Sequence, residues 1–291
     1  MPMEFLQVTV EQGTPDNPKK ESRFLQFLDN LHNTAKGKQL SFEMFGYNQY
    51  TYLFIGCDAD ITKLVEGLIY AAFPDCEIKP IKDYTRFFKS DKQVIMGTGA
   101  ELTRSDIYPL KTYEEFEVDS LSGVFSVISK MEREEQAWVQ ILISPKDDNW
   151  SYHFGRQLKM RFNSFFRRLR LKNFVRMKNK KQFFAEEDAQ FIDKADQNPF
   201  RIQLRFAAIS DNPAKAKKNL LALAKAFYQF NKTDNNEFKM QKIKNGASFV
   251  REYRARKMNK PVTIGANELA TIYHFPNCDH VPHVVHVLAK K

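Results

Sequence analysis

Cysteine is scarce. The 291 residues hold three, Cys57, Cys76 and Cys278, odd in number and widely spaced, which excludes a disulfide framework and points to a reducing, cytoplasmic compartment. Long apolar runs are missing as well: the richest window, 61–73, is short and carries Lys63 and Glu66, so no conventional membrane span is expected and any contact with the inner membrane would be peripheral. Met1 leads into an alternating strand pattern without the basic and apolar regions of a signal peptide. Phosphate-loop chemistry is absent too. The one Gly-Lys pair, Gly37-Lys38, is followed by Gln39, and His32 stands where the first glycine should be. Gly97 and Gly99 lack the third glycine of a dinucleotide fingerprint and read as a strand irregularity. Neither a nucleophile elbow nor a His-Glu-x-x-His helix occurs. A non-enzymatic protein without a cofactor is the expectation.

The most informative deficit is local. Between Arg156 and Lys181 there is no aspartate or glutamate, while Arg156, Lys159, Arg161, Arg167, Arg168, Arg170, Lys172, Arg176, Lys178, Lys180 and Lys181 supply eleven cations. Outside this block 34 basic residues face 35 acidic ones, so the net charge of +10 resides in one segment. Phe154, Leu158, Phe162, Phe165 and Leu169 recur at helical spacing, which predicts a basic amphipathic helix, roughly 39 Å long if it runs throughout. Such an array suits DNA, RNA or an anionic lipid surface through counterion release. It equally suits a helix packed by its aromatic stripe, with its charges solvated. Phe165, Phe166, Phe174, Phe183 and Phe184 are interleaved with the cations and suit stacking on single-stranded bases, although an aromatic stripe at helical spacing is more often core.

Hydrophobic content of 43% and 26 phenylalanines predict a folded chain with room for two cores. Leu6, Val8 and Val10 alternate as a strand; Asp16, Asn17 and Pro18 read as the cap of a helix with Phe24, Phe27, Leu28 and Leu31 inward. Two strand-like runs, 40–45 and 50–57, flank a four-residue turn. Asp58 or Asp60 is expected to cap a helix whose inward face is Leu64, Leu68, Ile69 and Ala72, and 76–81 reads as a strand. This β-α-β-β-α-β order is ferredoxin-like. It recurs as a strand at 94–102, a helix at 119–131 with Leu121, Val124, Phe125 and Ile128 inward, strands at 137–143 and 200–206, a helix capped by Asn212-Pro213 with Leu220, Leu223, Ala224 and Phe227 as its core face, and a strand at Phe238 and Met240. In 200–206, Phe200, Ile202, Leu204 and Phe206 alternate with Arg201, Gln203 and Arg205, which predicts one buried face and one polar, positive face. The fold expectation is therefore α+β, with two tandem ferredoxin-like units: residues 1–90, and residues 91–245 with a helical insertion at 146–198. Residues 246–291 form an irregular, basic C-terminal segment (Arg251, Arg254, Arg256, Lys257, Lys260) with a short helix at 268–273.

Two carboxylate groups, Glu114, Glu115 and Glu117, and Glu132, Glu134 and Glu135, flank predicted helices and read as solvated surface. In the tail, His274, Cys278, Asp279, His280, His283 and His286 crowd together. Cys278, His280, His283 and His286 are the candidate metal ligands, but proline at 276 and 282 and the lack of a second cysteine pair leave a surface-lying tail as the expected state.

Five runs, LSFEMF at 40–45, LVEGLIYAAFP at 64–74, IYPLKTYEEFE at 107–117, AWVQILI at 137–143 and ELATIYHFP at 268–276, carry a resemblance to a bacterial family of uncharacterised domains. That family is common in candidate-phylum genomes and precedes conjugative or type IV secretion ATPases. The resemblance spans nearly the whole chain. It implies an accessory domain that docks a hexameric motor ATPase, in cis or in trans, within an apparatus that moves DNA or protein. The motor domain that follows the last run in relatives is not within these 291 residues. Gly265-Ala266-Asn267 replaces the better Asn-Thr helix cap of relatives. Two further expectations stand beside this one: an autonomous, sequence-nonspecific nucleic-acid-binding protein, and an enzyme with a histidine-rich metal site at the tail. Homo-oligomerisation is compatible with each.

Overall fold

In the computed structural model, residues 3–10, 20–146, 190–191, 193–276 and 284–285 are described. Their centre is one ten-stranded antiparallel sheet. The strands are β1 (Met3–Thr9), β2 (Leu40–Tyr47), β3 (Tyr50–Asp58), β4 (Glu77–Ile81), β5 (Val94–Leu102), β6 (Gln136–Pro145), β7 (Pro199–Ser210), β8 (Phe238–Met240), β9 (Lys244–Asn245) and β10 (Val262–Gly265). The order across the sheet is β4-β1-β3-β2-β6-β7-β5-β8, with β9 on β5 and β10 on β7. Two four-stranded halves thus meet along β2 and β6, paired from Leu40↔Ile143 to Tyr47↔Gln136.

Both central strands are buried along almost their whole length; one face is apolar, while the other mixes apolar residues with the buried polar Ser41, Glu43, Gln136 and Gln140. On one face Phe42, Met44, Val139, Ile141, Leu204 and Phe206 meet the helices α1 (Lys20–Thr34), α2 (Thr62–Ala72), α3 (Ser122–Ser129), α4 (Pro213–Ala226) and α6 (Ala266–Ile272). The stripe Phe24, Phe27, Leu28 and Leu31 of α1 is fully buried, as its spacing predicts. The other face carries Phe45, Phe54, Trp138, Ala207 and Ile209, which lie under a short turn at Tyr84–Phe87 and under α5 (Gly246–Ala255).

Several local expectations are corrected. The β2–β3 turn is two residues, Asn48 and Gln49, both at positive φ (49° and 71°), the geometry that lets a tight hairpin follow the strand twist. Neither Asp58 nor Asp60 caps α2: its first residue follows Ile61, the Thr62 hydroxyl donates to the Asp58 carbonyl, and Asp60 pairs with Lys38. The helix is consequently rotated so that Val65 and Ile69 point inward while Leu64 is exposed. Asn212 does cap α4, its side chain accepting from the amides of Ala214 and Lys215 at 2.8 and 3.4 Å. The expected cap at Asp16, Asn17 and Pro18 lies outside the described residues.

The largest difference is the segment after β8. It holds an amphipathic helix, α5, that closes the second sheet face with Phe249, Val250 and Tyr253. Gly97 explains how α5 sits so close. It lies in unbroken β5–β7 register, and a Cβ there would stand 2.0 Å from the Phe249 ring. The glycine is a close-approach site and not an irregularity.

Gly97→Ala should therefore cost about 1–3 kcal/mol by overpacking. Urea unfolding of Gly97→Ala, Phe249→Ala and the double variant checks it: the double variant should lose less stability than the two singles added together.

Candidate functional site

The eleven cations between Arg156 and Lys181 fall outside the described residues, and the structure speaks to their frame. β6 ends and β7 begins as directly paired neighbours, Pro145↔Phe200, and the Lys146 amide donates to the Pro199 carbonyl at 3.0 Å. The 146–198 insertion thus leaves and re-enters the sheet at one hydrogen-bonded point. Its returning end is anchored. Phe191 is buried against Ile107 and Tyr108, Asn198 donates to Asp29, and the Lys194 ammonium forms a fully buried ion pair with Glu268 at 2.9 Å while donating to the Tyr108 carbonyl at 3.0 Å.

Glu268 has further duties. One oxygen accepts from the Leu110 amide at 2.6 Å and the other from the Gly265 amide at 2.8 Å. The glutamate three residues on therefore supplies the capping acceptor for α6 that Gly265-Ala266-Asn267 lacks. Thr271 accepts from the Tyr113 amide, and its carbonyl accepts from Ser120. Two of the runs that carry the sequence resemblance, 107–117 and 268–276, are thus docked on each other.

The second basic cluster is structural in part. Arg256, held at φ 46°, is buried over the Phe5 ring. Its guanidinium donates to Glu43 at 2.7 and 3.1 Å and to Asp83 at 2.8 and 3.2 Å. Gln140 also donates to Glu43 and accepts from Arg205. Arg205 is 2% exposed: the polar, positive face expected for β7 is covered there by α5, and the Glu252 carbonyl within that helix and the Lys257 carbonyl just after it accept from this guanidinium. Burial opposes ionisation of both partners. Glu43 and Asp83 nonetheless hold the Arg256 charge, and Arg256 with Thr85 brings the Asp83 carboxyl below the usual carboxylate range. The groove alongside, ≈1040 Å³, presents Glu4, Glu66 and Asp83 together with Lys82, Arg86 and Arg254. Mixed signs make it a poor seat for a polyanion.

The carboxylate groups stay largely on the surface as expected, except Glu135. It is 8% exposed and accepts from the Glu132 amide and from Asn219. The metal candidates Cys278, His280, His283 and His286 lie outside the described residues. What the described residues do bring together is His274 with Glu21 and Asp119, all buried, their ligand atoms within 4.8 Å of one another. Periodicity could not find this trio, because the residues lie far apart in sequence and converge only when α1, the loop before α3 and the segment after α6 pack together.

The fold and this frame define a mixed α/β protein on one antiparallel sheet, with a charged insertion at a strand pair. The chain belongs to the family described as domain of unknown function DUF8128, which matches residues 16–285. No curated protein matches it. Among solved structures it is similar to the crystal structure of aclacinomycin oxidoreductase, at 9% identity and a TM-score of 0.33, over 78% of this chain and 41% of that one. A likeness at that level says nothing about activity. Among the described residues no helix is long and apolar enough to cross a membrane.

Arg256→Ala strands the buried Glu43 carboxylate and removes the partner of the half-buried Asp83, and should cost about 3–5 kcal/mol, read as a drop in urea midpoint at neutral pH. Asp83, whose folded pKa is depressed, contributes stability that is present above its unfolded value of about 4 and is lost as pH falls through its folded value. Asp83→Asn should accordingly make the acid limb of the stability–pH curve shallower, and an unchanged limb would contradict this.

Proposed function

We propose that the chain is a non-catalytic accessory module that binds DNA through the 156–181 block and works beside a motor ATPase of a conjugation or type IV secretion apparatus. The observation that carries the binding step is the placement of charge. The whole of the +10 lies in a segment spliced between two paired strands whose ends are locked to the body. Such a segment can be dedicated to a ligand, because the sheet closes without it. The gain on binding comes from released counterions, so affinity falls steeply with salt.

The finer reading of the fold supports the same view. The half-sheet orders β4-β1-β3-β2 and β8-β5-β7-β6, each with two helices on one face, fit two ferredoxin-like units joined edge to edge. β9 and β10 are additions from the chain after β8. In this reading the module is a rigid two-unit platform that carries the block. Its place next to a motor rests on the sequence resemblance, and the lack of phosphate-loop and elbow motifs in the chain agrees with a non-catalytic role.

Fluorescence anisotropy with duplex DNA across a salt series tests the proposal. Wild-type protein should bind at low salt, and Arg167→Glu/Arg168→Glu/Arg170→Glu should flatten the log–log salt slope by about two to three. Absence of DNA binding at low salt, or binding to anionic vesicles alone, overturns it. Purified protein should not turn over ATP, and co-purification with a phosphate-loop ATPase separates a motor accessory from an autonomous nucleic-acid-binding protein.

A further inference from the structure

We propose that Glu21, Asp119 and His274 form a divalent-cation site that fastens the segment after α6 to the body. His274 is 0% exposed. Its Nδ1 lies 2.9 Å from the Ala270 carbonyl oxygen, and a carbonyl can only accept, so Nδ1 carries the hydrogen. That fixes the other nitrogen as the reactive one. Nε2 points between Asp119 Oδ2 at 3.3 Å and Glu21 Oε1 at 3.7 Å, yet it makes no hydrogen bond. A lone pair turned toward two carboxylates is repulsive, and a proton on Nε2 is aimed squarely at neither of them. A cation between the three atoms resolves both problems.

The spacing fits. Ligand atoms about 2.1 Å from a tetrahedral zinc ion stand roughly 3.4 Å apart, close to the two distances from Nε2. The outer contacts are those of a ligand set as well: a metal-bound histidine ordinarily donates its other N–H to a carbonyl or carboxylate, as His274 does to Ala270. Asp119 is oriented through its second oxygen, which accepts from the Leu121 amide at 2.8 Å. Burial favours the neutral imidazole that a metal requires, but the Asp119 and Glu21 carboxylates outweigh it and raise the His274 pKa, so a bound ion takes the place of a proton on Nε2. The donors come from the first turn of α1, the approach to α3 and the residue two places after α6. The nearby Lys20 ammonium donates to the Pro276 carbonyl, so a bound ion and this contact would hold the same stretch of chain.

The test uses full-length protein purified without a metal-chelating column, incubated with zinc, desalted and analysed for bound metal. Wild type should retain stoichiometric zinc and melt at a higher temperature with zinc than with EDTA. Glu21→Gln and Asp119→Asn preserve side-chain shape and should weaken zinc binding at least tenfold and abolish the thermal shift. Circular dichroism identifies which of the two remains folded, and the result is read on that variant. A tail variant, Cys278→Ala/His280→Ala/His283→Ala/His286→Ala, should keep the zinc. Wild type that takes up no zinc, with His274 simply protonated, overturns the proposal. Zinc that is lost in the tail variant but kept in Glu21→Gln overturns it equally.

Discussion

The β2–β6 ladder is the constraint on which the rest of the molecule depends. Without it each half would end in an exposed edge strand of apolar residues, an invitation to pair with another chain. With it, Met44 lies opposite Val139 and Phe45 opposite Trp138, and the cores on both faces run across the junction. The helices of the two halves then share one apolar layer. The other face is closed by α5 and by aromatic packing around Tyr84, 4.9 Å from Phe45 and 5.6 Å from Trp138.

Within that second face, burying charge is the unusual decision. Glu43 sits on β2 at the junction itself and is 0% exposed. A lone carboxylate there would be costly, so Arg256 must reach it, and α5 must end where it does. Arg205 on β7 donates to carbonyls of the same helix and of the residues just after it, while its Nε is left without a partner among the described residues. The network therefore sets the position of α5, and Gly97 allows the Phe249 ring to follow.

Much of this was legible in sequence. The bounds of β5 are legible to the residue, and the inward faces of α1, α3 and α4 follow from helical spacing. The readings that failed share a cause: each depended on a partner far away in the chain. Arg205 looks solvent-facing until α5 covers it, and α5 itself is too short to show more than Phe249, Val250 and Tyr253 beside the five cations from Arg251 to Lys260. Leu64 looked inward because Asp58 and Asp60 resemble caps, whereas the helix starts from Ile61. Of the candidate site, the charged block was plain from composition. The anchoring of its end by Lys194 and Glu268, and the meeting of Glu21, Asp119 and His274, required tertiary structure.

The sheet pairs β6 with β7 without help from the 146–198 connection, and the charge between its ends is proposed to serve a ligand. Replacing residues 150–184 with a short Gly/Ser linker, while retaining Phe191 and Lys194, tests it most directly. Cooperative urea unfolding should persist with a midpoint close to wild type while DNA binding disappears. Loss of cooperative unfolding would show that the aromatic stripe of the block belongs to the core, and would contradict the account.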